Sequence, residues 1–108
     1  MIPDLKWLER TELLIGTAEL ERLVQTRVLI VGMGGVGSYA AEFICRAGVG
    51  SMTIVDGDVV DVTNKNRQLP AMGSTVGKGK AALMAERLLD INPDLKLNVI
   101  YKFQKPDD

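Results

Sequence analysis

Hydrophobic and polar positions divide this chain into short strands and amphipathic helices that follow one another in turn. Val28 to Val31 is a continuous apolar, mostly β-branched run, which predicts a central strand covered by helices on both faces. Ser51 to Asp56 predicts a second strand, and from Leu95 to Phe103 the pattern becomes alternating, with Leu95, Leu97, Val99, Tyr101 and Phe103 on one face of a third. Between the strands the spacing is helical. Ser38 to Gly48 carries Ala40, Ala41, Ile44 and Ala47 as a small-residue face with Gly48 as its stop; a stretch from about Gly77 to Ile91 carries Ala81, Met84, Ala85, Leu88 and Leu89, capped by Ser74 or Thr75 and ended by Asn92-Pro93. Ahead of the first strand, Ile2 to Arg10 reads as an amphipathic arm in which Trp7 is the packing anchor, on its own core or on a partner subunit. Thr17 is the expected N-cap of a short helix with Leu20, Leu23 and Val24 on one stripe.

Strand, helix, strand, helix, strand is the order of a parallel α/β domain, because parallel neighbours need a crossover connection. The fold class expected is a Rossmann-like three-layer parallel sheet with helices on both faces. A complete doubly wound sheet has about six strands, so the three found here predict the N-terminal half of a longer protein. The division is an arm and helix over 1–26 and a partial nucleotide-binding domain over 27–108. A sheet edge left bare by such a division favours self-association.

The turn after the first strand carries the candidate chemistry. Gly32, Gly34 and Gly37 fall at G-x-G-x-x-G spacing: the first permits a tight turn, the second lets backbone approach a phosphate, and the third lets the next helix pack closely. The exposed helix N-terminus offers N–H groups and the positive end of a dipole to an anion. The second strand ends on Asp56, about twenty residues on, where this unit places the acid that accepts from ribose hydroxyls. Asp-Gly is also a turn dipeptide, but strand, glycines, helix, strand and acid stand in register. From Gly57 to Val76 runs a long irregular stretch leaving the carboxyl end of the second strand, where ligands bind in open α/β sheets; Asn64, Asn66, Arg67 and Gln68 in it can meet phosphates. Lys78 and Lys80 are expected in the first turn of the following helix, where cations oppose the macrodipole unless an anion is near, so at least one reads as a phosphate ligand. The Gly77-Lys-Gly-Lys run is not a Walker P-loop, since no Ser or Thr follows the lysine.

Composition narrows these readings. A formal charge of -1 over 108 residues gives no polybasic surface for nucleic acid. One cysteine, Cys45, excludes an internal disulfide and a multi-cysteine metal site, and the absence of histidine removes the commonest general base. Cys45 reads as a small buried hydrophobe. The start of the chain is unlike a signal peptide and no apolar run approaches a membrane span, so a reducing cytoplasm is the expected compartment.

These residues resemble the ubiquitin-activating-like adenylyltransferases, which include the ThiF, MoeB and HesA proteins. The likeness runs from Arg10 to the end, on Gly-Met-Gly-Gly-Val-Gly at the first turn, Arg-Ala-Gly-Val-Gly before the second strand, Asp56-x-Asp58, Thr63-Asn-Lys-Asn-Arg-Gln68, Val76-Gly-Lys-Gly-Lys80 and Asp90-Ile-Asn-Pro93. The Asn-x-Asn-Arg-Gln form, with Met84-Ala-Glu-Arg-Leu, is most similar to the branch that uses ATP to close threonylcarbamoyladenosine of tRNA into a cyclic form. The resemblance implies a cytoplasmic homodimer that activates a carboxylate by adenylylation. It assigns the ribose to Asp56, the nucleotide surface to Gly32, Gly34, Gly35 and Gly37, and triphosphate contacts to Asn66, Arg67 and Lys80, with Arg67 and Lys80 the catalytic pair and Asn64 and Gln68 also in the nucleotide site. Asp58 orders the loop or the nucleotide, and Arg10 is the only arginine in the arm able to reach another subunit's ATP, although Glu12 and Leu13 stand where the family's arginine is expected. Magnesium is implied, but the family's metal-binding aspartate falls beyond the third strand, and no residue here is assigned to it; the fragment by itself is expected not to turn over.

Three other readings stay open. An adenylyltransferase for a ubiquitin-like sulfur carrier, working with a cysteine desulfurase system, has a similar N-terminal half. A nicotinamide-dependent oxidoreductase uses the same glycine turn and Asp56, but gives no role to Arg67 and Lys80. A nucleotide-binding module acting only as a scaffold ignores ATP.

Overall fold

A computed structural model describes residues 4–102. After a 3-10 turn at Lys6–Leu8 come α1 (Glu9–Ile15), α2 (Thr17–Val24), β1 (Arg27–Val31), α3 (Gly35–Ala47), β2 (Ser51–Val55), two further 3-10 turns at Val62–Asn66 and Gly73–Thr75, α4 (Lys80–Ile91) and β3 (Lys96–Ile100). The three strands form one parallel sheet in the order β1-β2-β3, with Val28 opposite Met52 and Met52 opposite Leu97. The parallel α/β architecture expected from the sequence is present.

The core follows from strand alternation. Met52 and Ile54 are buried with Ala41 and Cys45 of α3 and with Met84 and Leu88 of α4, and Val28, Ile30, Leu97 and Val99 pack against this cluster. These strand residues share one face, so both crossover helices lie on the same side of the sheet. Small residues on α3 let α4 approach, and the Cys45 thiol donates to the Leu88 carbonyl at 3.6 Å. Burial pushes the Cys45 thiol up from its ordinary pKa, in keeping with its expected role as a packing residue.

Several local expectations are corrected. β1 is not central but an edge strand among the described residues, and its burial alternates: Leu29 is 64% and Val31 49% exposed on the face opposite the helices. Trp7 is 41% exposed, so on this chain's own core the anchor of the arm is Leu8, 2% exposed; packing of Trp7 on a partner subunit is a separate expectation. Gly16 at φ +89°, not Thr17, is the N-cap of α2, and the Thr17 hydroxyl donates to Glu12 instead. α4 begins three residues later than expected, with Gly79 as its N-cap, because the Thr75 hydroxyl is taken by Pro70 and Met72 of its own turn; Lys78 is left outside the helix and exposed. β3 ends at Ile100, with Tyr101 exposed; Phe103 lies outside the described residues.

The two ends of the sheet differ. At the amino end the Gly50 N–H donates to Leu23, the Ser51 N–H to Thr26, and Leu8 packs on Gly48, whose φ of +109° makes it the left-handed stop of α3. A cleft of ≈ 570 Å³ opens there between Trp7, Arg27, Gly50 and Lys96. The carboxyl end carries the glycine turn and the long loop.

Candidate nucleotide site

Gly32 has φ +89°, a conformation that L side chains resist, and with it the chain leaves β1 and turns into α3. A Cβ at Gly37 would fall 1.7 Å from the Gly32 carbonyl oxygen, so the third glycine lets the helix close onto the turn itself. No side chain caps α3 at Gly34, and the first N–H groups of a helix have no intrahelical acceptor, which leaves them facing the carboxyl end of the sheet. The turn is held from beneath. The Met33 N–H donates to Asp56 Oδ2 at 2.6 Å, and Oδ1 of the same carboxylate accepts the Asp58 N–H at 2.6 Å. Asp56 therefore joins the glycine turn to the start of the loop, and each of its oxygens keeps a lone pair for a hydroxyl donor.

The loop folds back over this turn. Asp61 accepts from the Thr63 N–H and hydroxyl, which hold its carboxyl below the ordinary range, while Asn64 Oδ1 accepts the Asp61 N–H in return. This closed pair of bonds starts the 3-10 turn at Val62–Asn66. Arg67 and Gln68 are thereby laid on the glycines: the nearest atoms to a Cβ built on Gly35 belong to Arg67, at 3.9 Å, and to one built on Gly34 the Gln68 amide nitrogen, at 3.4 Å. Buried Ser38 completes the attachment, donating to the Gly34 carbonyl and accepting the Leu69 N–H at 3.4 Å. Gln68 Oε1 is buried with no hydrogen-bond partner, so a polar acceptor at the turn is unsatisfied by protein.

Lys80 arrives by a separate route. Val59 bridges Gly79, the Val60 N–H donates to the Lys78 carbonyl and the Gly77 N–H to the Val60 carbonyl. This clip sets the first residue of α4 beside Asp58, whose carbonyl accepts the Lys80 N–H at 3.1 Å and whose Oδ2 lies 3.3 Å from Lys80 Nζ. The lysine side chain is 6% exposed, so its ammonium is buried against one carboxylate.

The structure thus brings together Gly32, Gly34, Gly35, Gly37, Asp56, Arg67 and Gln68, with Asp58 and Lys80 reaching them through Asp56. Asn64 is buried with its carbonyl committed to the loop, and Asn66 is exposed with its Oδ1 accepting from Arg67 at 3.0 Å. Arg10 stands apart, exposed on α1 two residues after Leu8 at the amino end of the sheet. Among the described residues no group of three or more His, Cys, Asp and Glu side chains converges, and Asp58 is paired to Lys80. Sequence reading missed Met33 and Ser38, whose roles lie in a backbone N–H and in a hydroxyl that look ordinary until the loop is in place. No helix of the described residues is long and apolar enough to cross a membrane.

Known proteins are similar to this chain in sequence and in fold. The chain is 50% identical over 94 residues to tRNA threonylcarbamoyladenosine dehydratase of Bacillus subtilis, covering 87% of this chain and 37% of that protein. It is 39% identical over 80 residues to molybdopterin-synthase adenylyltransferase of Escherichia coli, covering 74% of this chain and 32% of that protein. Its fold matches the crystal structure of E. coli tRNA N6-threonylcarbamoyladenosine dehydratase in complex with ATP at a TM-score of 0.90 and 41% identity, over 99% of this chain and 45% of that one. The chain therefore spans less than half of the relatives it matches. With the ThiF family matching residues 8–108, a range that spans the glycine turn, the loop and Lys80, the chain belongs to the ThiF family.

Proposed function

We propose that this chain is the ATP-binding portion of an enzyme that activates a carboxylate by adenylylation, the substrate being threonylcarbamoyladenosine in tRNA. One observation carries the reading: Arg67 and Gln68 lie on the glycine turn that Asp56 holds from below, so groups suited to ribose and to phosphate converge on one helix N-terminus. In such a reaction a carboxylate oxygen attacks the α-phosphorus of ATP and pyrophosphate leaves. Catalysis is then positioning and charge neutralisation, which require neither histidine nor a protein nucleophile. Asp56 accepts from the ribose hydroxyls, the α3 N-terminus and Arg67 hold phosphate oxygens, and Lys80 offsets charge at the leaving end.

The tRNA substrate is favoured over a sulfur-carrier protein by the higher identity to the dehydratases than to the molybdopterin-synthase adenylyltransferase. The amino end of the sheet is one five-residue strand, roughly 17 Å, from the glycine turn, so the reading gives Arg10 to the nucleotide of a second copy in a homodimer. Calorimetry with Mg-ATP is the test. ATP is expected to bind and NAD not to, with Asp56→Ala and Arg67→Ala each weakening binding by roughly tenfold or more. Equal binding of NAD, or ATP binding indifferent to both substitutions, overturns the reading.

A further inference from the structure

Glu42 and Arg87 lie outside the site, yet they join the two helices that build it. Arg87 Nε donates to Glu42 Oε1 and its Nη2 to Oε2 at 3.4 Å, a forked contact, while Arg46 Nε stands 3.5 Å from Oε2. The Glu42 side chain is 10% exposed, so α3 carries a nearly buried carboxylate that both arginines neutralise. Its place along the helices is specific. Glu42 comes seven residues after Gly35, the first residue of α3, and Arg87 seven after Lys80, the first residue of α4. Seven residues are about two turns, or roughly 10 Å, so the fork ties the helices at equal height above the glycine turn and above the lysine.

The rest of the contact between these helices is apolar or a single weak thiol bond, and an interface built on Ala41, Cys45, Met84 and Leu88 can slip or rotate with little change in buried area. A two-pronged ion pair on a nearly buried carboxylate cannot; it is satisfied in one register. The glycine turn is additionally fixed to the loop through Ser38. The Lys80 ammonium meets Asp58, which in turn is joined to the turn through Asp56.

We infer that the Glu42–Arg87 pair is a positioning device that sets the register of α3 against α4 and so the place of the Lys80 ammonium relative to the glycine turn. The inference rests on the ATP reading above for its functional consequence, and on the helix geometry alone for its structural one. Since Lys80 serves the far phosphates and the turn serves the near one, loss of register weakens ATP more than AMP.

Two measurements on the chain test this. The first compares ATP and AMP affinity in the wild type, Glu42→Gln, Arg87→Lys and Leu88→Ala, the last removing packing from the same interface without touching the ion pair. Glu42→Gln is expected to lose roughly tenfold more affinity for ATP than for AMP; Arg87→Lys, which keeps the charge but not the fork, loses less in the same sense; Leu88→Ala lowers stability and leaves the ratio as in the wild type. Equal loss for both nucleotides, or a ratio that shifts as much in Leu88→Ala, overturns the inference. The second needs no nucleotide. Spin labels at Val36→Cys on α3 and Ala82→Cys on α4, with Cys45→Ala, are expected to give a narrow distance distribution that broadens with Glu42→Gln and not with Leu88→Ala. An unchanged distribution in Glu42→Gln overturns the inference; a broadened one in a chain that does not bind ATP upholds the register and removes the proposed function instead.

Discussion

Gly37 and Gly50 are fixed by the backbone that lies over them. A Cβ at Gly37 meets the Gly32 carbonyl oxygen at 1.7 Å, and one at Gly50 meets the Val24 carbonyl oxygen at 1.8 Å. Neither obstacle is a side chain that can rotate away, so an added methyl must move a helix. Gly37→Ala is expected to cost about 3 kcal/mol or to prevent folding, and Gly73→Ala, which has open space up to the end of Lys65, about 0.5 kcal/mol or less; urea unfolding of the two variants gives the comparison. The spacing of Gly32, Gly34 and Gly37 was legible in the sequence because each sits at a fixed offset in a local turn. The role of Gly50 was not, since what it meets is the end of α2, twenty-six residues earlier.

At the scale of elements, the strands and crossover helices were readable from periodicity, and the misplacements were at their ends. α4 began late because Thr75 satisfies its hydroxyl within its own turn, a competition that depends on the fold of Pro70 to Met72. Glu42 gave no signal at all: in the pattern it is one acid in an apolar helix, and only the packing of α4 supplies Arg87. That pair makes a prediction about acid. The Arg87 fork holds the Glu42 carboxyl below the ordinary range despite its burial. A carboxyl depressed in the folded state stabilises the fold above its unfolded pKa, about 4.3, and that contribution is lost as pH falls through the lower folded value. Thermal unfolding from pH 7 downward is therefore expected to show the wild type ahead of Glu42→Gln near neutrality and the two curves converging in acid below that point.

For the whole molecule, the described fold has one helical face and one that carries Leu29 and Val31 in the open, beside a strand edge unpaired among the described residues. The sequence pattern of β1 read as buried on both faces, and only the exposure of Leu29 and Val31 in the folded chain reveals that nothing among the described residues covers its second face. Such an edge is a template for pairing. Sedimentation velocity is expected to show association that grows with concentration in the chain and is suppressed by Leu29→Lys, which places a charge on that face without reaching the core; association unaffected by the lysine assigns the contact to another surface. The candidate site was legible to the extent that it is built from local motifs. Its assembly was not, because it depends on a clip between Val59–Val60 and Gly77–Gly79 that no periodicity announces.

The contact between the buried Lys80 ammonium and the half-exposed Asp58 carboxylate gives the site a charge balance of its own. An anion that reaches the lysine finds a seat already taken, so binding there is an exchange of one negative partner for another. A singly charged visitor gains little by such a swap, because the carboxylate it displaces was as good a companion. A polyphosphate, bringing several charges along the turn at once, can outbid it. On the proposed ATP reading, discrimination by ligand valence is then set by the Lys80–Asp58 contact itself.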